Sequence, residues 1–235
     1  MTVTNADTNK VPTHLGLILD GNRRWAREQG LPQLEGHRKG YENLKTIGKA
    51  GINRGIKYVS AYVFSTENWN RSREEVAYMM KLLLWVAKHE VDELHKENIR
   101  VRFAGSRERL GAKILKAMHE AENKTKANTR GTLIICLNYG GHQEITEAVK
   151  NITANNIAAD DITSELIARH LYVSDVPPID LIIRTSGEQR LSNFMLWRAA
   201  YSELYFTNKY WPAFDETDLD KALAEYALRK RRFGK

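Results

Sequence analysis

The stretch "LILDGNRRW", residues 17–25, runs from an apolar segment into one acid and continues as Gly-Asn, two arginines and a tryptophan. Asp20 therefore stands where a buried strand would reach the surface. One interpretation is a helix cap, in which Asp20 or Asn22 accepts hydrogen bonds from the first backbone N–H groups of a helix. The other is a site in which the carboxylate binds a metal and the arginines bind an anion. Both interpretations place a sheet behind the stretch.

Apolar runs like the one that ends at Asp20 alternate along the chain with longer amphipathic stretches. The strand candidates are residues 14–20, 57–64, 99–104, 132–138, 179–184 and 203–207, and the helix candidates lie near residues 36–54, 73–97, 107–128, 141–156, 163–171 and 215–231. Continuous Val, Ile and Leu runs separated by helices are typical of a parallel sheet covered on both faces. Neither a linker nor an internal repeat is visible. We therefore expect one α/β domain at residues 13–235, with a mostly parallel sheet of about six strands flanked by helices, behind a polar tail at residues 1–12.

The composition limits the class of protein. Hydrophobic residues make up 42% of the 235 residues, which is enough for a sizeable core. No apolar run approaches the roughly 20 residues of a membrane-spanning helix, and the start "MTVTNADTNKVP" lacks the apolar stretch of a signal peptide, so we expect a cytoplasmic protein. The single cysteine, Cys136, excludes a disulfide framework and is expected in the core. The net charge of +7 favours anionic partners, among them nucleic acid, phosphorylated metabolites and lipid headgroups, without choosing between them.

Polar segments follow four of the predicted strands, at residues 20–25, 64–71, 138–142 and 184–190. Taken singly, each is typical of a turn or a helix cap. Because ligands of parallel α/β sheets bind beyond the carboxyl ends of the strands, the four segments together indicate a site. Arginine offers a fork of donors suited to phosphate oxygens, and a single Asp can hold Mg²⁺ together with substrate phosphates. No P-loop or GxGxxG motif is present, so the pattern predicts a phosphorylated ligand without a nucleotide signature.

The helix predicted at residues 73–97 has an unusual surface. Ser72 and Glu75 form the pattern of a capping box, which predicts where the helix starts. Its body, "VAYMMKLLLWVAKHEV", then carries apolar residues on nearly every side. Such a helix is either buried in the core or faces a second apolar space, such as a cavity for a hydrocarbon ligand. The sequence leaves both alternatives open.

The strand exits resemble those of the cis-prenyltransferase (undecaprenyl diphosphate synthase) family. The matching stretches are "HLGLILDGNRRWA", "GHRKG", "YVFSTENWNRSREEV", "NYGGHQEI", "IDLIIRTSGEQRLSNFMLW" and "YSELYFTNKYWPAFDE", in this order between residues 14 and 216, with "RRFG" near the end. The resemblance implies a homodimeric, Mg²⁺-dependent enzyme that condenses isopentenyl diphosphate onto an allylic diphosphate such as farnesyl diphosphate, with new double bonds in cis. It also implies an apolar product cavity and peripheral membrane contact as the product leaves. The fully apolar helix favours a long polyprenyl diphosphate of the undecaprenyl type, a cell-wall lipid-carrier precursor, over a medium or short product, but the sequence leaves the chain length and the preferred allylic primer open.

The resemblance further implies roles for individual residues, all of which we expect at one sheet edge. Asp20 matches the acid that handles Mg²⁺ and assists diphosphate departure, and Glu203 matches a second acid associated with the metal. Asn68 matches a residue that helps to remove the proton, and because a carboxamide is a weak base we expect it to orient or relay that proton. The implied substrate-binding positions are Gly21, Asn22, Arg23, Arg24, Trp25 and His37 for the allylic diphosphate, Ser65, Thr66, Glu67, Trp69 and Arg71 at the second strand exit, and Arg184, Arg190, Leu191 and Ser192 for isopentenyl diphosphate.

Two positions depart from the family pattern. Gln33 stands four residues before His37, where Arg is usual, and His142 replaces a usual Arg. A missing guanidinium would weaken one diphosphate contact by about 1.5–3 kcal/mol where the bond was charge-assisted. Arg23, where several bacterial members have Gly, is a candidate to compensate. Whether the terminal Arg232-Phe233-Gly234 reaches a dimer neighbour's site stays open.

Two other classes of function compete with an active enzyme. Related chains serve as non-catalytic accessory subunits of heteromeric synthases, and the presence of Asp20, Asn68, Arg184, Arg190 and Glu203 argues against that alternative. A basic nucleic-acid-binding protein would also fit the net charge. No recognised nucleic-acid motif accompanies that charge, so we expect no nucleic-acid partner.

Overall fold

The structure is a computed structural model that describes residues 11–229. Its centre is one sheet with the strands β1 (His14–Ile18), β2 (Tyr58–Ser65), β3 (Ile99–Ala104), β4 (Gly131–Tyr139), β5 (Leu181–Arg184) and β6 (Glu203–Phe206). Every pairing in this sheet is parallel. The predicted six-stranded parallel sheet is confirmed. The C-terminal segment Arg232-Phe233-Gly234 and most of the predicted tail lie outside the described residues.

The strand order β3-β4-β2-β1-β5-β6 places a reversal of direction between β1 and β5. From β1 the chain continues to β2 on one side, whereas β5, on the other side of β1, leads outward to β6. In open parallel sheets such a reversal leaves a crevice beyond the carboxyl ends of the two strands, and ligands bind there. Asp20 follows β1 and Thr185 follows β5, so both reach this crevice.

Helices cover both faces of the sheet. They are α1 (Asn22–Glu28), α2 (Gln33–Asn53), α3 (Arg73–His89), α4 (Val91–Lys96), α5 (Ala112–Thr125), α6 (Gly141–Ala154), α7 (Ser164–His170) and α8 (Glu216–Leu228). Short 3₁₀ turns lie at Thr66–Asn70, Ala159–Asp161 and Trp211–Ala213. This alternation of strands and helices gives the single-domain α/β fold that the sequence predicts.

Three helices differ from the prediction. Helix α1 was not predicted, because its seven residues are too few to show an apolar period, and Gly21 at φ +102° starts it directly after the strand. The helix predicted at residues 73–97 is two helices that part at Glu90, whose carboxylate is bound by Lys45 of α2 at 2.6 Å. Helix α5 begins at Ala112, because Arg109 at φ +63° ends any helical path before it.

A hydrophobic core lies on each face of the sheet. On one face, Leu15 and Leu17 of β1 pack with side chains from α2, α5 and α8. On the other face, Ile18 packs with Phe194, which belongs to the segment between β5 and β6. Both faces of the sheet are buried, which explains why the central strands have continuous apolar sequences. Cys136 is buried in the second core, as predicted.

Helix α3 is only partly buried. Its buried residues are Glu75 and Met79, whereas Trp85 is 48% exposed. The remaining apolar side chains are half-buried, and several of them line open space beside the sheet. Met79 belongs to the core and Val76, Met80 and Leu83 pack against it, so each of the two interpretations of this helix describes part of it. Within residues 11–229, no helix is both long enough and apolar enough to cross a bilayer.

Candidate active site

A cleft of about 840 Å³ opens at the carboxyl edge of the sheet, beside the boundary between β1 and β5. Its walls come from the segments that follow β1, β2 and β5 and from α2 and α3. The predicted site residues that line it are Asp20, Gly21, Asn22, Arg23, Arg24, His37, Ser65, Glu67, Asn68, Arg71, Arg184 and Ser192. His142 of the strand exit at residues 138–142 lines it as well, so all four polar strand exits meet in one place, as a parallel sheet requires.

Asp20 lies between two guanidinium groups in this cleft. Its Oδ2 accepts a hydrogen bond from Arg184 Nη2 at 2.8 Å, and its Oδ1 accepts one from Arg24 Nη2 at 3.2 Å. Arg184 is only 3% exposed, and its Nη1 donates to Ser192 Oγ at 2.7 Å and to the Arg190 carbonyl. A buried cation needs a counter-charge, which Asp20 supplies. The Arg184 Nε is buried and has no partner among residues 11–229, so this guanidinium is not fully satisfied.

The backbone around Asp20 is fixed by its neighbours. The Asp20 carbonyl accepts hydrogen bonds from the Thr185 hydroxyl at 2.7 Å and from the Trp211 N–H at 2.9 Å. At Gly21, which has φ +102°, a Cβ would lie 2.6 Å from the Tyr210 ring. Only glycine fits that position, and the turn it makes places α1 and its arginines beside the acid.

Arg24 is held in place but remains partly open to the cleft. Its Nη1 donates to the Ser186 carbonyl at 3.4 Å, and its Nη2 donates to the Ser186 hydroxyl. Glu188 Oε1 lies 3.6 Å from Arg24 Nη1, and the Tyr210 ring centroid lies 5.6 Å from the guanidinium carbon. The guanidinium is thus oriented before any ligand arrives, which suits it to bind an anion.

A second group of cations surrounds Glu75 on the α2–α3 side of the cleft. Glu75 Oε1 lies 3.0 Å from His37 Nε2 and accepts from Arg71 Nη1 at 2.8 Å, while Oε2 lies 3.6 Å from Arg23 Nη1. Burial opposes the charged carboxylate, but Arg71, His37 and Arg23 outweigh it and lower the pKa of Glu75. Burial also lowers the pKa of His37, so this imidazole is neutral at pH 7.

Asn68 is engaged in a capping box with Ser65. Its Oδ1 accepts a hydrogen bond from the Ser65 N–H at 3.1 Å, and the Ser65 hydroxyl accepts one from the Asn68 N–H. The carboxamide oxygen is therefore occupied by the backbone. Asn68 lines the cleft, and its side-chain nitrogen has no acceptor in the described part of the chain, so this nitrogen is free to donate to a ligand.

Some predicted site residues lie outside the cleft lining, namely Trp25, Thr66, Trp69, Arg190, Leu191 and Glu203. The Trp69 indole N–H donates to Asn138 Oδ1 at 2.7 Å, and its ring packs edge-on against Phe64. The Arg190 guanidinium pairs with Glu188 at 2.5 Å near solvent, and only the Arg190 carbonyl reaches Arg184. In this structure the Trp69 and Arg190 side chains therefore contact protein groups rather than the cleft.

Glu203 lies at the amino ends of the strands, opposite the carboxyl ends where Asp20 lies. It pairs in register with Leu181, which pairs with Leu15 near the start of β1. Asp20 is five residues further along, a distance on the order of 15 Å. The Glu203 carboxylate instead pairs with Arg229 at 2.9 Å. The expectation that Glu203 shares an edge with Asp20 is therefore wrong within one chain, because β6 begins with Glu203 at its amino end.

Known proteins match this chain over nearly its whole length. The Prenyltransf family model, which describes undecaprenyl diphosphate synthase, matches residues 18–234. The chain belongs to this family. An isoprenyl transferase from Thermotoga maritima is 48% identical to this prenyltransferase over 227 residues, which are 96% of this chain and 97% of that protein. A ditrans,polycis-undecaprenyl-diphosphate synthase ((2E,6E)-farnesyl-diphosphate specific) from Vibrio parahaemolyticus is 44% identical, covering 98% and 94%.

A solved structure agrees with this family membership. The crystal structure of lavandulyl diphosphate synthase from Lavandula x intermedia, in complex with dimethylallyl diphosphate, superposes with a TM-score of 0.92. That protein is 37% identical, and the match covers 96% of this chain and 99% of the other. The family resemblance that the strand exits indicate is confirmed.

Both departures from the prenyltransferase pattern, Gln33 and His142, line the cleft. Asn193, which the sequence analysis missed, links two of its walls: its Oδ1 accepts from the His142 N–H at 2.8 Å and its Nδ2 donates to Glu67 Oε1 at 3.0 Å. Asn193 has φ +67°, a conformation that asparagine tolerates better than most residues, but its sequence neighbours do not reveal the turn. Other missed lining residues are Arg27, Tyr41 and Tyr62.

Glu75 is the most informative omission. The capping pattern is half correct, because the Ser72 hydroxyl accepts from the Glu75 N–H at 3.2 Å. The Glu75 carboxylate, however, does not return to Ser72 but turns to His37, Arg71 and Arg23. The signal was an acid one helical turn after Arg71, a spacing that places the two side chains side by side.

The donor set of the cleft fits one magnesium ion shared with a substrate. Within residues 11–229, no group of three or more His, Cys, Asp or Glu side chains is arranged to hold a metal. Asp20 lines the cleft with a side chain 27% exposed. Mg²⁺ commonly takes one or two carboxylates and fills its remaining positions with phosphate oxygens and water. Asp20 alone satisfies the protein's share of such a site.

Away from Asp20 the cleft becomes apolar. Met79, Leu82, Leu83 and Val86 of α3 line this part. A smaller cavity of about 70 Å³ lies further along the same helix and shares Leu83 and Val86 with the cleft. Its other lining residues are almost all apolar, among them Leu84, Ala87, Leu94, Leu133 and Leu137. The apolar residues of α3 therefore border this open space, while Met79 also belongs to the core and Leu83 also packs against it.

Proposed function

We propose that this prenyltransferase condenses isopentenyl diphosphate repeatedly onto an allylic diphosphate of the farnesyl type, with new double bonds in cis. One observation carries the proposal: the same cleft has cations at one end and hydrocarbon at the other. Arg24 and Arg184 flank Asp20, and Met79 and Val86 belong to the opposite, apolar part. A prenyl diphosphate has the complementary shape, because its charged head and hydrocarbon tail are joined end to end.

Two diphosphates require two anion subsites, and the cations form two groups. Arg23 and Arg71, gathered at Glu75, lie on the side of α2 and α3, next to the apolar wall. We assign this group, with Arg24, to the allylic diphosphate, since its hydrocarbon chain must enter the apolar space. Arg184, bonded to Ser192, is assigned to isopentenyl diphosphate.

The chemistry follows from these charges. The allylic C–O bond breaks and its electron pair leaves with the diphosphate, so negative charge grows on the leaving group. Oriented guanidinium groups stabilise that charge without reorganising. The isopentenyl double bond supplies the electron pair of the new C–C bond, and the carbocation that results loses a proton. The apolar wall keeps water away from the cationic carbon.

Asn68 enters this scheme as a donor. Because its Oδ1 is bound to the Ser65 N–H, its Nδ2 is the atom that meets a substrate oxygen. A carboxamide is also too weak a base to abstract the proton. We therefore assign Asn68 to the orientation of a diphosphate, and the departing pyrophosphate to the acceptance of the proton.

Asp20 would hold Mg²⁺ through its carboxylate, and the ion would supply positive charge to the departing diphosphate. Asp20 is also the residue that keeps Arg184 oriented. The assignment of Glu203 to the metal remains a prediction. Because Glu203 lies at the amino ends of the strands, a metal role for it requires a site other than that of Asp20 in the same chain.

The wider setting of the proposal rests on the family resemblance. It comprises a homodimer, a cytoplasmic location, peripheral membrane contact during product release, and an undecaprenyl-like product that grows along the apolar side of α3. The small cavity of about 70 Å³, which shares Leu83 and Val86 with the cleft, supports growth in that direction.

The test is to incubate the purified chain with Mg²⁺, farnesyl diphosphate and labelled isopentenyl diphosphate, and to separate the products by chain length. We expect polyprenyl diphosphates longer than the primer. If several allylic primers give no elongation in a folded protein, the proposal fails.

The elongation assay, together with an oligonucleotide-binding assay, separates the alternative functions. An accessory subunit would be inactive alone and gain activity with a second chain. A nucleic-acid-binding protein would bind oligonucleotides with an affinity that falls steeply with salt. Product formation by the purified chain alone would exclude the first, and weak, salt-independent oligonucleotide binding would exclude the second.

A further inference from the structure

Glu75 is an anion enclosed by side chains that we assign to substrate binding. The residue is 8% exposed, and its two carboxylate oxygens contact Arg71, His37 and Arg23. These partners come from three different segments: the end of the 3₁₀ turn after β2, helix α2 and helix α1. A single carboxylate therefore ties three separate walls of the cleft to the start of α3.

The charges around Glu75 do not cancel. Two guanidinium groups face one carboxylate, and His37 is neutral at pH 7 because burial lowers its pKa. The cluster thus keeps about one surplus positive charge, which faces the cleft. Arg23 is the most exposed member, with a side chain 48% open to solvent. Without Glu75, mutual repulsion and solvation would draw the two guanidinium groups apart.

Glu75 also connects the charged end of the cleft to its apolar wall. It lies one turn before Met79, and the Arg71 Nη1 is 3.7 Å from the Met79 sulfur. Leu82, Leu83 and Val86 continue the same wall along α3. Any shift of α3 relative to α1 and α2 must therefore break or stretch the contacts of Glu75.

We infer that Glu75 is a positioning residue for the allylic substrate: it holds Arg23, Arg71 and His37 as a preformed diphosphate cradle and fixes the apolar wall of α3 relative to that cradle. The inference rests on the proposed function for the identity of the substrate. It also gives a physical account of Arg23, because Glu75 keeps this arginine at the cleft wall that Gln33 lines without a charge.

The decisive variant is Glu75→Gln, with Glu74→Gln as its matched control. Glutamine has the size and shape of glutamate, so a packing or capping role would survive the change. Glu74 is the exposed neighbour on the same helix and loses the same charge. We expect Glu75→Gln to raise the KM for the allylic diphosphate about tenfold or more, with the KM for isopentenyl diphosphate within about twofold. Glu74→Gln should change neither.

Direct binding gives a readout that does not depend on turnover. Titration calorimetry with farnesyl thiodiphosphate, an unreactive analogue, should show the same tenfold loss for Glu75→Gln. In a double-mutant cycle with Arg23→Gly, the second substitution should cost less in the Glu75→Gln background than in the wild type. If Glu75→Gln is poorly folded, Glu75→Asp replaces it. Glu75→Asp keeps the negative charge, so its loss of allylic affinity should be smaller than tenfold.

Two results would overturn the inference. One is an allylic KM and analogue affinity for Glu75→Gln that match those of Glu74→Gln. The other is an equal rise of both substrate KM values in step with a fall in thermal stability, which is the mark of a structural role. Absence of elongation by the wild-type chain, with the analogue still bound tightly and weakened by Glu75→Gln, would count against the proposed function and leave the positioning role intact.

Discussion

Arg184 and Arg198 are both buried, and each pairs with a carboxylate at 2.8–2.9 Å, yet their surroundings differ. Arg198 faces Glu144, which is 1% exposed and also accepts from the Tyr139 hydroxyl at 2.5 Å. Arg184 faces Asp20, whose side chain is 27% exposed, and its Nε has no partner in the described part of the chain.

The two buried arginine–carboxylate ion pairs therefore have different roles. The second Arg198 nitrogen donates to the carbonyls of Tyr172 and Val173, so the pair with Glu144 is closed and joins α6 to the segment before β6. Such a pair contributes to specificity of packing, and breaking it is costly. The pair at Asp20 is open on one side and unsatisfied, which leaves it free to exchange partners with a ligand.

The largest effect should come from Asp20→Ala. We expect turnover to fall by at least about a thousandfold, because the variant loses both the metal ligand and the group that orients Arg184. The fold should persist, since water in the cleft can solvate the freed guanidinium. Product formation and a far-UV circular dichroism spectrum test both statements. The exposed Asp160→Ala is the control, and near-normal turnover in Asp20→Ala would refute the assigned role.

Glu144→Gln should act on stability instead. The substitution leaves Arg198 buried without its counter-charge, so the free energy of unfolding should fall by about 3–5 kcal/mol. The KM values of the remaining folded enzyme should be unchanged. Denaturant unfolding and steady-state kinetics measure the two properties separately. Unchanged stability with an altered allylic KM would show that the Glu144–Arg198 pair serves substrate binding rather than the stability of the fold.

His14 is a third buried ionisable group. Like Arg198, it has its hydrogen-bond partners within the protein. Its Nδ1–H donates to the Pro177 carbonyl at 2.8 Å, and its Nε2 accepts from the Ser60 hydroxyl at 2.8 Å. Burial lowers the pKa of His14 to about 4. The unfolded chain takes up this proton below pH 6.5, so stability is lost as pH falls from 6.5 to about 4, by about 3 kcal/mol in all.

The measurement for His14 is the difference in unfolding free energy between pH 7 and pH 4.5. In His14→Gln this difference should be smaller than in the wild type by a large part of those 3 kcal/mol. The exposed His119→Gln should keep the wild-type difference. An unchanged pH dependence in His14→Gln would show that the histidine is not held neutral.

The smallest effect is expected from Arg23→Gly. Because this arginine is half exposed, its loss should raise the allylic KM by about three- to tenfold and leave kcat nearly unchanged. Initial rates over a range of allylic diphosphate measure the change, and Arg169→Gly on the exposed helix α7 is the control. An unaltered allylic KM would mean that Arg23 does not compensate for Gln33.

The parts of the fold that the sequence predicts are those with a long or continuous signal. Each of the six strands was placed correctly, and the signal is strongest in β1 and β5, whose continuous apolar runs are buried on both faces. Helix α1 escaped notice because it has only seven residues and depends on the positive φ of Gly21. The break at Glu90 was likewise invisible, because the apolar pattern continues through it.

Among the predicted site residues that line the cleft, most lie at the end of a strand or in the segment after it, and His37 of α2 is an exception. Asp20, Asn68 and Arg184 lie in such positions, and parallel strands bring their carboxyl ends to one edge. Trp69 and Arg190 lie on the same loops but point elsewhere, which sequence spacing cannot resolve. Glu75 and Asn193 were missed because their partners are distant in the chain: Glu75 meets His37 across 38 residues, and Asn193 meets Glu67 across 126.

By itself, the sequence of this prenyltransferase determined which side chains stand at the strand exits, and thereby its family, its α/β architecture and an acid followed by cations at residues 17–25. The tertiary structure alone decided which charges face one another. It set Asp20 between Arg24 and Arg184, gave Glu75 its three partners and placed Glu203 at the amino ends of the strands. The reason is physical: strand order and register fix distances between segments that are remote in the chain, and electrostatic interactions depend on those distances rather than on sequence spacing.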